Sequence, residues 1–428
     1  MLNFHGFGAV VRSLAMLALA GLASSTEPRG RIVGAASPQQ DTGSSPQDAG
    51  ADAATAEVSP EESEAAFQEL LESPEVRQIM TDFDTAHQEL VVALGDLREA
   101  HLIFGNGIDQ SESAREEYRS RRDAVRAALK KTHRAANKAM MFRNREAFVY
   151  VLTMVESNEK RSIYDLDTYE SAAKLLDFGR KDKNVFSAAL RSAVSHGQFE
   201  TARSIFEVLQ GQDLPDVDRK IQVTLDEIEA DYEIERQRQE RDKDKTLPKV
   251  RFHTTNGDFV AELYIEEAPS AVSHFIGLVE DEHFEDLEFF QVIDDLLALC
   301  GDPNDNPGDR FLKDEHEAED ARKALRGSLV MANIPLEQGD FLPDSASNRF
   351  AILMLPLPWV TEKQTVFGRV VEGMDVVSTF QRVDPGKEKK KGELTLPPDR
   401  VLSAEILDRP DTLPEPVYVE TGRGESSF

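Results

Sequence analysis

At Pro248 the spacing of the apolar residues changes, and this change restricts the fold more than any single motif does. Before it, apolar side chains recur every three to four residues, the period of a helix with one buried face; after it they alternate, the period of a half-buried strand. The two patterns cannot share one layer of structure. They predict an α-helical domain over residues 59–247, a bundle or short solenoid, followed by a β domain over 248–409 and a flexible tail over 410–428. A chain of 428 residues is long enough to bury a core in each part.

The N-terminus reads as a targeting segment. Arg12 precedes an apolar run from Leu14 to Leu22 that is shorter than the ~20 residues of a membrane span but matches a signal-peptide core. Gly21 and Ala23 place cleavage after Ala23, so residues 1–23 are expected to be removed and the protein exported to a periplasm or the extracellular space, or tethered to the membrane if the segment is kept. Residues 24–58, dominated by Ala, Gly, Ser, Gln, Asp, Thr and Pro, cannot bury enough apolar surface to order themselves and are expected to form a linker. The single cysteine, Cys300, excludes an intrachain disulfide and sits in an apolar run as a small buried hydrophobe. A net charge of −30 argues against nucleic acid as a partner, since phosphate binding needs clustered cations. The basic run Lys387 to Lys391 reads as a solvated loop.

Helix signals begin at Ser59, Pro60 and Glu62 and again at Ser73 and Pro74. Helical patterns follow over 84–104, 112–141, 145–157 and 168–178. Arg115, Arg119, Arg121, Arg122 and Arg126, interleaved with Glu116, Glu117 and Asp123, predict an exposed, salt-bridged face. The segment from Val185 to Leu209, with a turn at His196 and Gly197 and small Ala202, resembles one helix pair of a tetratricopeptide-like repeat. A peptide-binding repeat groove is therefore an alternative to a plain bundle, and this half is a candidate surface for a homo-oligomer or a partner protein. The last helix, 216–244, ends in a polar run expected to project into solvent between the halves.

In the β half, Asn256-Gly257 between alternating segments predicts a hairpin with a two-residue turn. Ala268-Pro269-Ser270 starts a helix whose apolar face is Val272, Phe275, Ile276 and Val279. Gln364 to Val377, QTVFGRVVEGMDVV, reads as strand, turn and helix start. Asp302, Asn304 and Asn306 mimic a calcium loop, but Pro307 and Lys313 replace its glycine and closing glutamate, so neither metal nor cofactor is expected.

The segment TTNGDFVAELYIEEAPSAVSHFIGLVED resembles the opening of the cyclophilin domain, and further blocks follow in the family's order. FFQVIDDLLALCGDP matches FHRVIxxFMIQGGDP, Asp314-Glu315 its acidic pair, RGSLVMAN the RGxLxMAN strand, ASNRFAI the GSQFFI strand, and QTVFGRVVEGMDVV the closing block. The resemblance spans Lys249 to Arg409. It implies a cyclophilin-like eight-stranded, mostly antiparallel β-barrel with two helices, near Ser270 to Val279 and from Gly373. It also implies peptidyl-prolyl cis-trans isomerase activity assisting protein folding, on proline-containing or extended polypeptide segments.

In that family an arginine hydrogen-bonds near the prolyl nitrogen and favours its deconjugated form, while an apolar pocket holds the ring. Here the arginine position is Gln291, with Phe290 for the preceding histidine; Leu296 and Leu297 stand for the pocket Phe-Met, and Leu299 for a glutamine. Asn348 and Arg349 fall on the glutamine and first phenylalanine of GSQFF, and Phe350 on the second, in the pocket. Trp359 matches the family tryptophan, Val360 the pocket leucine and Gln364 the histidine; Ala332 and Asn333 are retained. Alternation is expected to turn Arg349 away from the side carrying Phe350. If a donor of this kind is worth ~2.7–4 kcal/mol, its loss removes roughly two to three orders of magnitude in rate. The expectation is a weak isomerase, with a non-catalytic proline-binding, chaperone or scaffold module as the alternative.

Overall fold

The structure, a computed structural model, describes residues 60–303, 310–336, 340–387 and 396–420. The expected targeting segment and linker, the loop residues Asn304, Asn306 and Pro307, most of the basic run, and residues 421–428 lie outside the described residues.

Among the described residues, eight α-helices make up the N-terminal half: α1 (Pro60–Leu71), α2 (Pro74–Phe104), α3 (Glu112–Ala139), α4 (Arg145–Glu159), α5 (Leu166–Asp177), α6 (Lys183–Ser195), α7 (Phe199–Val208) and α8 (Asp216–Asp242). Their starts follow local chemistry: the side chains of Ser73, Ser111, Asn144 and Asp165 each accept a first-turn backbone N–H. Helix α6 is buried without interruption from Val185 to Val194, so it has no solvent face and is wrapped by α4, α5, α7 and α8. The α6–α7 turn depends on Gly197, whose φ is +70 and whose Cβ, if present, would lie 2.3 Å from the Tyr232 ring. None of the described helices is long and apolar enough to cross a membrane.

The C-terminal half is an eight-stranded sheet in the order β3-β4-β7-β6-β8-β2-β1-β9, antiparallel throughout. The strands are β1 (Lys249–Thr254), β2 (Asp258–Leu263), β3 (Gln291–Ile293), β4 (Leu297–Cys300), β6 (Ser328–Met331), β7 (Phe350–Leu353), β8 (Val366–Glu372) and β9 (Val401–Ile406). The sheet curls until its edges meet: Phe289 N donates to Asp399 O at 2.8 Å and Val401 N to Leu287 O at 2.9 Å. Its interior is aromatic, with Phe252, Phe259, Phe275, Phe284, Phe289, Phe350, Phe367 and Phe380 all buried. Helix α9 (Pro269–Glu280) packs its apolar face on this core. Helix α10 (Pro358–Thr361) is a single turn, and α11 (Met374–Ser378) starts at Gly373. The acidic pair has structural work: Glu315 accepts the N–H groups of Ser270 and Ala271 at 2.9 Å each, completing the start of α9, and Asp314 accepts from Asn333.

Several local expectations are corrected. The hairpin turns on Thr255 and Asn256, not on Asn256-Gly257, because the Asn256 side chain donates to Val376 O and Thr379 Oγ1 and is held there. The expected tail carries a further strand, β10 (Tyr418–Glu420), paired with β5 (Arg310–Leu312), and Arg310 lies over the Tyr418 ring at 5.7 Å. The α3 arginines do not all face solvent. Arg115 and Arg121 do, but Arg122, buried, and Arg126, largely covered, donate to the carbonyls of Thr255 and Asn256 in the hairpin turn. Burial, and then the neighbouring Arg122, lower the Arg126 guanidinium to about 10.

The end of α8 also docks instead of projecting. Glu235 accepts from Lys323 N at 2.9 Å, and Arg238 donates to Ala321 O at 2.6 Å. Arg322 inserts between the halves, bonding Asp242, Glu235 and Glu267 with its guanidinium over the Tyr264 ring at 3.9 Å. Asp242, Glu266 and Glu267 converge within 4.8 Å, yet their charge is met by Arg322, Arg241 and Lys245. Removing one member of such a network strands the others without compensation. Arg322→Met is expected to cost about 3–5 kcal/mol in chemical denaturation followed by circular dichroism; a change below about 1 kcal/mol would show that the junction contributes little.

Candidate functional site

Strand pairing fixes which side chains share the outer face of the sheet. Gln291 pairs with Leu299, Leu299 with Ala351, Ala351 with Val330, and Val330 with Val366, giving one continuous row across β3, β4, β7, β6 and β8. Beside it, Ile293, Leu297 and Leu353 form a second row. Leu297, Val330, Leu353, Val360 and Val366 pack with Tyr264, Ala324 and Leu357 in an apolar cluster separate from the barrel interior. Gln291, Leu297 and Leu299 are half-buried, so the row meets solvent at the β3–β4 end. The structure thus gathers Gln291, Leu297, Leu299 and Val360, with the buried Val330, Leu353 and Ala351 packed beneath and beside them, residues that the sequence reading did not include.

Phe350 is not on this face. It is fully buried among Phe252, Phe275 and Phe284, with ring centroids at 5.7, 5.3 and 5.3 Å, and pairs with Cys300 on the inner side. Burial pushes the Cys300 thiol far up, consistent with a packing residue. Because successive strand residues face opposite ways, Phe350 must match the first, inward phenylalanine of the GSQFF pattern. Ala351 then stands where the pocket phenylalanine would, and Arg349 where the glutamine would.

The remaining residues are scattered. Leu296 precedes the first paired residue of β4, its carbonyl accepting from Met354 N at 2.9 Å. Ala332 gives its N–H to Arg349 O at 3.0 Å, and Asn333 is buried with its amide donating to Asp314 and to Lys363 O. Asn348 hydrogen-bonds His274 on α9, away from the row. Trp359, 40% exposed, lies parallel to Phe341 with centroids 6.0 Å apart. Gln364 is buried, its N–H closing the α10 turn onto Val360 O.

The turn joining β3 to β4 is gripped from the helical half. Asp295, in the left-handed region at φ 59, accepts from Arg191 at 2.9 Å, from Tyr164 Oη and from Ser162 Oγ at 3.0 Å, and its own N–H donates back to Ser162 Oγ. Asp294 accepts from Arg382, which also donates to Arg161 O at 3.0 Å. Arg191 itself is buried and bound to Asp218 at 2.7 Å and Glu159 at 3.2 Å. Burial pushes the Tyr164 hydroxyl up, with the Asp295 carboxylate adding to the effect, so it acts as a neutral donor. The acidic dipeptide between the arginine position and the pocket positions is thus an anchor, legible in sequence only as two unexplained aspartates. A separate cleft of about 80 Å³ lies between the halves, lined by Arg126, Lys130, His133, Arg161, Asp165 and Asp375 among others and by no residue of the paired row.

A family model described as cyclophilin type peptidyl-prolyl cis-trans isomerase/CLD matches residues 249–406. A peptidyl-prolyl cis-trans isomerase of Schizosaccharomyces pombe is 32% identical over 137 residues, covering 30% of this chain and 83% of that protein. A peptidyl-prolyl cis-trans isomerase-like protein of Neurospora crassa is 29% identical over 167 residues, covering 37% of this chain and 97% of its own. An Arabidopsis thaliana peptidyl-prolyl cis-trans isomerase is 33% identical over 151 residues, and the match spans 34% of this chain and 23% of that protein. A crystal structure of a Cryptosporidium parvum cyclophilin type peptidyl-prolyl cis-trans isomerase aligns at 22% identity with a TM-score of 0.32, covering 39% of this chain and 100% of that one. None of these matches extends through the helical half, and through residues 249–406 the chain belongs to the cyclophilin-type peptidyl-prolyl cis-trans isomerase family.

Proposed function

We propose that the chain is a low-turnover peptidyl-prolyl cis-trans isomerase that takes proline-containing or extended segments on its outer row and assists protein folding. The observation that carries this is Gln291: it heads the row Gln291–Leu299–Ala351–Val330, at the position where the family has its arginine. Rotation about an X–Pro bond needs no covalent step, only a donor that stabilises the deconjugated nitrogen and a surface that holds the ring. A neutral amide makes a hydrogen bond about half as strong as a charge-assisted one. Leu297 and Leu299, half-buried at the solvent end of the row, supply the surface, backed by the buried Val330, Leu353 and Val360. The segment from Leu14 to Leu22 supports export, and a mature chain beginning at Ser24 in the secreted fraction would test that part.

A second reading, a proline-binding module without turnover, is favoured by Ala351 standing where the pocket phenylalanine would, since the ring loses its aromatic partner as well as the cation. An isomerisation assay on a proline tetrapeptide separates the two. For the enzyme, the wild-type chain exceeds the uncatalysed rate and Gln291→Arg raises kcat/KM by roughly 10–100-fold. Saturable peptide binding, with no turnover in wild type or variant, is the outcome for the module.

The anchor at Asp295 gives a further expectation. In Asp295→Asn the site hairpin loses its charged tie to Arg191, and amide exchange over residues 291–299 should accelerate well beyond that of β1 and β2. Equal acceleration in both regions would mean that the anchor stabilises the whole barrel and does not tune the site.

A further inference from the structure

One residue before Phe350 stands a cation that alternation returns to the candidate face. With Phe350 turned inward, Arg349, the residue just before β7, falls on the outer side like Ala351 two positions on, and its backbone carbonyl accepts from Ala332 N. Its stem lies across Gly301, which has φ +134; a Cβ at 301 would fall 2.6 Å from Arg349 Cγ, so only glycine leaves room for this arginine beside the end of β4. The side chain is half-buried.

The charge surroundings of Arg349 differ from those of Arg191, Arg322 and Arg382. Arg191, Arg322 and Arg382 each meet carboxylates at bonding distance, whereas among the described residues the Arg349 guanidinium makes no hydrogen bond or ion pair. A chain with 79 acidic and 49 basic residues has ample carboxylate with which to pair it. A partly exposed guanidinium with no anion supplied by the described residues is able to take one from a ligand, and its planar fork suits a carboxylate. The distance is suitable: two strand spacings, roughly 10 Å, separate β3 from β7, so a segment lying over the row with its proline on the apolar floor has a neighbouring side chain near β7.

We propose that Arg349 is a specificity-determining residue, receiving the carboxylate of an aspartate or glutamate that flanks the proline of the bound segment. This rests on the reading that the row binds proline-containing segments. The groove then selects by two features, an apolar floor for the ring and a cation for the acidic neighbour, and it does so with or without turnover.

The test is titration of the full chain with proline hexapeptides carrying Glu, Gln or Lys on either side of the proline. In one of the two placements the Glu peptide should bind about 10-fold more tightly than its Lys counterpart, a difference of ~1.4 kcal/mol. The preference should shrink in high salt, vanish in Arg349→Gln, reverse in Arg349→Glu and survive in part in Arg349→Lys. If the Gln peptides bind and charge makes no difference, or Arg349→Glu leaves the order unchanged, the assignment of Arg349 is overturned while the groove stands. If the Gln peptides themselves fail to bind, the groove reading falls and takes the assignment with it.

Discussion

The guanidinium of Arg191 is the interaction on which the two halves of this molecule most depend. It lies in α6, buried on every side from Val185 to Val194, and meets Asp218, Glu159 and Asp295 together with the Tyr164 hydroxyl. Burial alone would penalise every one of these ions; only their mutual attraction keeps them in place. Glu159 shows the balance, since burial raises its carboxyl and the Arg191 charge opposes that rise. Because Asp295 belongs to the β3–β4 turn, the charge balance of the helical core and the position of the candidate site are one problem. The helical half therefore acts on the barrel as a clamp as well as a neighbour.

The same device recurs along the whole seam. Arg122 and Arg126 hold the hairpin turn, Arg322 enters between α8 and the barrel, and Arg382 reaches the carbonyl of Arg161. Arginine is suited to this position because it stays charged when desolvated and satisfies several acceptors in one plane. The buried charges are of both signs, Arg122, Arg191 and Arg322 against Asp218, Glu235, Asp242 and Glu267, so charge is nearly balanced in the interior of a chain whose net charge is −30.

Much of the architecture was legible because the period of the apolar residues is a local property. The change at Pro248, the helix starts at Ser73 and Pro269, and the turn at Gly373 all follow from residues within a few positions of one another. The register of β7 was not legible for a related reason. Phe350 to Leu355 is apolar at every position, so the sequence offers no alternation to say which residues face in, and a slip of one exchanges the two faces. Only pairing with β4 and β6 decides it, through contacts distant in the chain. That slip moved Phe350 into the core, brought Ala351 to the floor and returned Arg349 to the outer face. The α8 terminus and the α3 arginines misled for the same reason: charged runs resemble solvated surface until a partner from the other half is brought against them.

The charge of the whole molecule and the charge at Arg349 act in opposite directions on an acidic ligand, and distance decides between them. A net −30 repels such a segment during approach, but at physiological ionic strength charges are screened beyond about 8 Å, so most of the surface is not felt once the segment lies on the sheet. At contact the nearest charges dominate, and Arg349 has no ion pair within 4.0 Å among the described residues. Repulsion therefore slows encounter, while the local guanidinium governs how long the complex lasts. A groove of this design would discriminate mainly through dissociation, an arrangement suited to slow, selective handling of proline segments.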